Sequence, residues 1–486
     1  MIFNPVLRGF HPDPSWVRVG EWTYLVTSTF AWLPGLPVYR SRDLCQWDPL
    51  PPVIPDNTVL DFRGLACDDG LYAPGIRHDG RRFLLTCTLV DRRKQRFVNF
   101  VCTSVDPAEG WSRPVLLPES IGRIDPTPFV DEDGSLWLVL NDLPVAEHAH
   151  GGTRSIQLWK LDTETFQPIK GPYLLWHGSM VGAATAEAPR LFRKDGWYWL
   201  MIAEGGTGPN HSVTMARSRE ITGPYASCPA NPLLTHRHLG RREPIQCVGH
   251  ADLMQRADGS WWACCLAERR VEGCRLLGRE TWLLPVAWEG SDWPLFAPGQ
   301  GRLSSTVDFP GNPSAPPQPK NQWLSLRTAP ESLTEEVHSE KPFLRAQPHA
   351  WDDTEQAPAL IGQRIREHEG RWRVELTPEA GVTAYGIAIF CNDQEWLSLG
   401  ISGGKLSLMN AKGNLFGSGD IPPSGPAVME LLWNPVSVSA RVRVGDIQLS
   451  FPDAAPMNGF AHPGFAGGVL AVWARGTEGG VFYSSP

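Results

Sequence analysis

Over residues 1–300 the apolar positions fall in short runs entered through a polar turn that ends in glycine, and this pattern recurs five times. The copies read VRVGEWTYLVTST (17–29), IRHDGRRFLLTCT (76–88), FVDEDGSLWLVLN (129–141), LFRKDGWYWLMIA (191–203) and MQRADGSWWACCLA (254–267). Asp-Gly or a comparable pair supplies the positive φ of a tight turn and the flanking residues favour strands, so each copy predicts a β-hairpin. The glycines, at 20, 80, 134, 196 and 259, lie 60, 54, 62 and 63 residues apart. That interval holds four strands, and more strand signal follows the hairpins, as in Val38-Tyr39-Arg40-Ser41 and Val213-Thr214-Met215-Ala216-Arg217-Ser218. Five such units predict a five-bladed β-propeller over residues 1–300.

Between Ala297 and Trp323 the chain becomes dense in Pro, Gly and Ser and loses strand periodicity, which predicts an interdomain linker, placed at 301–325. Alternating runs return beyond it, as in Trp372-Arg373-Val374-Glu375-Leu376 and Gly386-Ile387-Ala388-Ile389-Phe390, without helical periodicity. Residues 326–486 therefore predict a β-sandwich, and the whole chain is all-β. The 486 residues agree with two domains, and the 21 Trp, 45 Pro and 48 Gly suit strands, turns and aromatic-lined surfaces.

A formal charge of −8 disfavours a nucleic-acid partner, which needs basic surface, and fits a neutral ligand such as sugar. No run reaches the roughly 18 apolar residues of a membrane span, and Met1-Ile2-Phe3-Asn4-Pro5 does not open a signal peptide. Ten cysteines without CxxC spacing read as buried thiols in a reducing compartment, so a cytoplasmic location is expected. The adjacent Cys264 and Cys265 lack a second ligand pair nearby and belong to the core.

Aligned by hairpin, the repeats are preceded by Asp13, Tyr72, Asp125, Glu187 and His250 at equivalent positions. The first strand of each blade lines a propeller's channel, so these five residues should converge on one ring. Three carboxyl groups would then share a confined space and raise one another's pKa, an arrangement with little structural value but obvious use in acid–base chemistry.

The chain resembles glycoside hydrolase family 43, in particular its two-domain β-xylosidases and α-L-arabinofuranosidases. The resemblance rests on Asn4-Pro5-Val6-Leu7 with Gly9-Phe10-His11-Pro12-Asp13-Pro14-Ser15, Ser28-Thr29-Phe30 with Trp32 and Pro34-Gly35, and Ile124-Asp125-Pro126. Glu187-Ala188-Pro189, Ala203-Glu204-Gly205-Gly206-Thr207, Gly249-His250 and Leu277-Gly278-Arg279-Glu280-Thr281 complete it. It implies a propeller followed by a concanavalin-like sandwich whose loop, with Phe465, walls the active site. It further implies inversion of configuration, with Asp13 as general base, Glu187 as general acid and Asp125 tuning and orienting the acid. Arg279 would bind a sugar hydroxyl and offset the acids, and Phe30, Trp32 and Tyr72 would meet the sugar's C–H faces.

His250 would take a channel role, holding a water or a divalent cation such as calcium, although no cofactor is required for the chemistry. Two positions depart from the family pattern: Tyr72 stands where Trp is usual in the β-xylosidases, and Arg190 where a His commonly follows the Glu-x-Pro. Both bear on the fit of the terminal sugar. The expected activity is exo-release of β-D-xylose from xylo-oligosaccharides. An α-L-arabinofuranosidase acting on arabino-oligosaccharides, and a non-catalytic carbohydrate-binding protein, are the alternatives. Homo-oligomerisation is left open.

Overall fold

The computed structural model describes residues 1–142, 154–180, 185–310, 318–422, 425–460 and 464–484. Its five N-terminal sheets each run in chain order from an inner to an outer strand. The inner strands are Ser15–Val19, Gly70–His78, Ile124–Val130, Ala186–Lys194 and Ile245–Gln255. Each contacts the next around a ring, and the fifth contacts the first, so the sheets are the blades of a closed five-bladed propeller. The repeat glycines all take positive φ, from 61° at Gly20 to 92° at Gly80, as the tight turns require.

The N-terminal segment fastens the ring. Ile2–Phe3 pairs with Thr306–Val307, and the Asn4 side chain both accepts from the Leu283 N–H (2.9 Å) and donates to the Leu283 carbonyl (2.7 Å) in the fifth blade. The stretch expected as a linker therefore carries a strand belonging to the propeller before Leu324–Leu326 opens the next sheet.

Residues from 324 onward supply all but one strand of two larger sheets, one of eight strands and one of seven. Ile361, Ile387, Ile389, Leu399 and Val472 of the first face Val374, Leu376, Met429, Leu431 and Val442 of the second across one buried core. Alternation sends the intervening side chains, Ala388, Phe390, Ala471 and Trp473, to the opposite face, where they join the core of the first two blades. The eight-stranded sheet is thus covered on both faces. Its last strand is Trp32–Leu33, from a loop of blade 1, paired with Leu324–Leu326. The α-helix among the described residues is the four-residue turn Pro330–Leu333, and no helix there is long and apolar enough to cross a membrane. All ten cysteines are buried and free.

Candidate active site

The inner strands are irregular where the chemistry sits. Register shifts interrupt the pairing at Tyr72/Gly75, Ile124/Thr127, Glu187/Arg190 and Gly249/Asp252. Asp13, Asp125, Ala188 and His250 take the left-handed region, at φ of 56°, 61°, 50° and 49°. Bulges of this kind turn a side chain out of the strand's alternation, and non-glycine residues with positive φ cost about 1–3 kcal/mol each, offset by the surrounding blades. The result is a cavity of about 230 Å³ lined by Asp13, Asp125, Glu187, His250 and Arg279, with Phe30, Tyr72 and Phe465 as its aromatic wall.

Asp13 is buried. Its Oδ2 accepts from the Ser28 hydroxyl (2.7 Å), its Oδ1 accepts from Arg279 Nη1 (2.8 Å), and His250 Nδ1 lies 3.4 Å from the same oxygen. Burial alone would raise this carboxyl, but Arg279, His250 and Ser28 outweigh it, so it sits below the ordinary aspartate range. Asp125 is the opposite case. Burial, and then the charge of Glu187, push it up to about 8, although its Oδ2 accepts from the Ala188 N–H (2.8 Å). Glu187 is raised as well, by burial first and with help from Asp13, against the pull of Arg154 and Arg279. Asp125 and Glu187 thus titrate as a pair that keeps one proton at neutral pH, while Asp13 beside them is ionised.

Phe465 comes from the C-terminal part of the chain and is clamped against blade 2. Its N–H donates to Asp68 Oδ1 (2.8 Å), and its carbonyl accepts from Arg279 Nη2 (3.2 Å). Its ring stacks on Phe30 at 5.9 Å and meets Tyr72 edge-on at 5.8 Å. The Arg279 guanidinium lies over the Phe30 and Phe465 rings, 5.5 Å from each, and the Tyr72 hydroxyl donates to the Asp68 carbonyl (2.7 Å). A side chain on Gly464 would strike the Asp68 carboxylate, which explains glycine there.

Trp32 is the exception among the expected sugar contacts. It is fully buried away from the cavity, packed against Phe10 and Phe390 in the core shared by blade 1 and the eight-stranded sheet. Strand alternation in a two-residue segment carries no signal of which face is wet. Conversely, Ser28 and Asp68 hold the site without a sequence signal of their own for that role; Ser28 lies inside the Ser28-Thr29-Phe30 motif, whereas nothing local marks Asp68.

The surroundings of His250 do not fit a divalent cation. Nε2 faces the Arg190 guanidinium, with Nη2 at 3.4 Å, and Nδ1 faces Asp13, so neither ring nitrogen is open to a metal. Among the described residues no group of three His, Cys, Asp or Glu side chains could hold one.

A propeller whose channel mouth gathers an ionised carboxylate, a carboxyl pair sharing a proton and an aromatic wall defines a glycoside hydrolase. The model of glycosyl hydrolases family 43 matches residues 2–294, and the chain belongs to that family. It is 32% identical over 422 residues to a xylosidase/arabinosidase from Butyrivibrio fibrisolvens, covering 82% of this chain and 79% of the relative. It is 35% identical over 366 residues to a non-reducing end alpha-L-arabinofuranosidase from Bacteroides ovatus, covering 74% of this chain and 64% of that one. The crystal structure of a xylan beta-1,4-xylosidase from Bacillus halodurans superposes over the full length of both chains with a TM-score of 0.88 at 25% identity.

Proposed function

We propose that the protein is an exo-acting, inverting glycosidase that releases terminal β-D-xylose from xylo-oligosaccharides. The observation that carries this reading is the division of protonation within one small cavity: Asp13 held ionised by Arg279 and Ser28, and the Asp125–Glu187 pair holding a proton. Asp13 acts as general base on a water below the anomeric carbon, and Glu187 gives its proton to the leaving oxygen from the opposite side. The pair holds that one proton between them, Glu187 is the member that faces the leaving oxygen and delivers it, and the Ala188 N–H steadies the charge on Asp125 when the proton is on Glu187. Arg279 binds a sugar hydroxyl, and the Phe30, Tyr72 and Phe465 rings take the sugar's apolar face. A cavity of about 230 Å³, walled by Phe465, suits one terminal sugar better than a continuous chain.

Release of α-L-arabinofuranose is the second reading. The name of the Bacteroides relative favours it, that of the Butyrivibrio relative names both activities, and the same acid and base serve both pentosides. We read the two C-terminal sheets as a concanavalin-like sandwich, take oligosaccharides as the partners and expect no cofactor requirement. The free, buried thiols support a cytoplasmic location, which cell fractionation tests. The decisive assay is hydrolysis of nitrophenyl β-D-xylopyranoside, nitrophenyl α-L-arabinofuranoside and xylobiose by the native protein and by Glu187→Ala. Turnover that falls by about 10²-fold or more in the variant supports the assignment and ranks the sugars. No turnover of any of them by folded native protein would overturn it.

A further inference from the structure

Beneath the cavity lies a second buried cation to which the hydrolytic scheme gives no task. The Arg190 side chain is wholly shielded from solvent, three residues past Glu187 on the same strand. It reaches across the channel: Nη1 donates to Thr127 Oγ1 of blade 3, Nη2 donates to the Pro74 carbonyl of blade 2 (3.3 Å), and Nε lies 3.5 Å from Asp252 of blade 5. Asp252 in turn accepts from Ser15 of blade 1 (2.7 Å) and from both terminal nitrogens of Arg77 (2.9 Å each). Nη1 also donates to the Pro189 carbonyl of its own strand (3.2 Å), and Nη2 faces His250 Nε2 at 3.4 Å.

A guanidinium only donates, so the nitrogen it faces must present a lone pair. With Nε2 unprotonated, the ring's proton resides on Nδ1, and Nδ1 is the atom 3.4 Å from Asp13 Oδ1. We propose that Arg190 is a positioning residue of the reaction, fixing the His250 proton on Nδ1 so that Asp13 faces a neutral N–H and never an imidazolium. An imidazolium in that place would pair with the carboxylate and weaken it as a base. The charged and titratable groups around the ring are Asp13, Arg190, His211 and Arg279. Burial is the largest cause, Arg190, His211 and Arg279 add to it and Asp13 opposes it, which leaves His250 far below its ordinary range, at about 3. The proposal rests on the reading of Asp13 as general base, but the proton's location can be measured without turnover.

The experiment is ring ¹⁵N spectroscopy of histidine-labelled native protein from pH 5 to 9, with the His250 signals assigned by their loss in His250→Asn. The expected result is one neutral tautomer, protonated on Nδ1, throughout. A ring protonated on Nε2, or an imidazolium within that range, overturns the proposal. In Arg190→Met the ring is expected to lose its single tautomer, so that part of the population turns an Nδ1 lone pair toward Asp13; losing that N–H should raise Asp13 and move the acid limb of kcat/KM up by about one pH unit. Arg190→Lys, which keeps a donor cation, should restore the native limb. If Arg190→Met loses thermal stability alone, with tautomer and pH profile unchanged, Arg190 is merely structural and the proposal fails. Should that variant not fold, the native tautomer and the lysine variant decide. Absence of turnover with the Nδ1–H tautomer in place would count against the glycosidase reading and leave the proton assignment supported.

Discussion

Replacing Asp125 by Asn should make the protein more stable and less active, and the stability gain should grow with pH. The folded Asp125–Glu187 pair keeps one proton up to about pH 8, whereas the unfolded chain gives up both carboxyl protons near the ordinary value of about 4. Between those limits the native state binds more protons than the unfolded state, so its stability falls as pH rises. The slope is about 1.4 kcal/mol per pH unit, or about 4 kcal/mol lost by pH 7. Asn removes the like charge but leaves Glu187 buried, so roughly half of that, about 2 kcal/mol, should be recovered at pH 7 and almost nothing at pH 4. Asn fits because its Oδ1 can still accept from the Ala188 N–H that Asp125 holds at 2.8 Å. Thermal and urea unfolding of both proteins at pH 4, 5.5, 7 and 8.5 measures the gap, expected as a Tm rise of a few degrees at pH 7. Meanwhile kcat should fall at least about tenfold as Glu187 releases its proton too early. A stability gap that is flat with pH, or that favours the native protein at pH 7, would refute the shared-proton account.

Ser28→Ala removes a donor from Asp13 and should raise that carboxyl's pKa by about one unit, moving the acid limb of kcat/KM toward neutrality; pH–rate profiles check it. Phe465→Ala should strip the aromatic wall and cost about 1–3 kcal/mol of sugar binding, read as a kcat/KM loss of about 10- to 100-fold on nitrophenyl xyloside. Trp32→Ala should destabilise the fold by about 3–5 kcal/mol in urea unfolding yet leave KM nearly unchanged, because the indole packs between the sheets and not against the sugar.

The propeller was legible because a turn glycine and a strand recur at one interval, and the same alignment brought Asp13, Tyr72, Asp125, Glu187 and His250 to equivalent positions. Their actual convergence depends on bulges and left-handed residues at Asp13, Asp125 and His250, which leave no mark in an apolar–polar pattern. Contacts of long sequence separation were the hardest to read. The placement of Phe465 came from family resemblance alone, and its anchor, Asp68, lies 397 residues away in sequence. Trp32 misled because a lone aromatic among motif residues looks the same whether it meets a sugar or a neighbouring sheet. Arg190 stands out in the sequence as a departure from the family pattern, but its reach from blade 4 to blades 2, 3 and 5, with blade 1 joined through Asp252, emerges only in three dimensions.

The wall supplied by Phe465 also has a consequence for synthesis. Residues forming the acid–base machinery, up to Arg279, leave the ribosome long before residue 465 does, so a nascent propeller would first exist as an open bowl with its carboxyls exposed to water. Selectivity for a chain end would arrive last, when the C-terminal loop docks on Asp68 and Arg279. Chains that stop short of it would carry the catalytic acids without the aromatic wall that Phe465 brings against Phe30 and Tyr72.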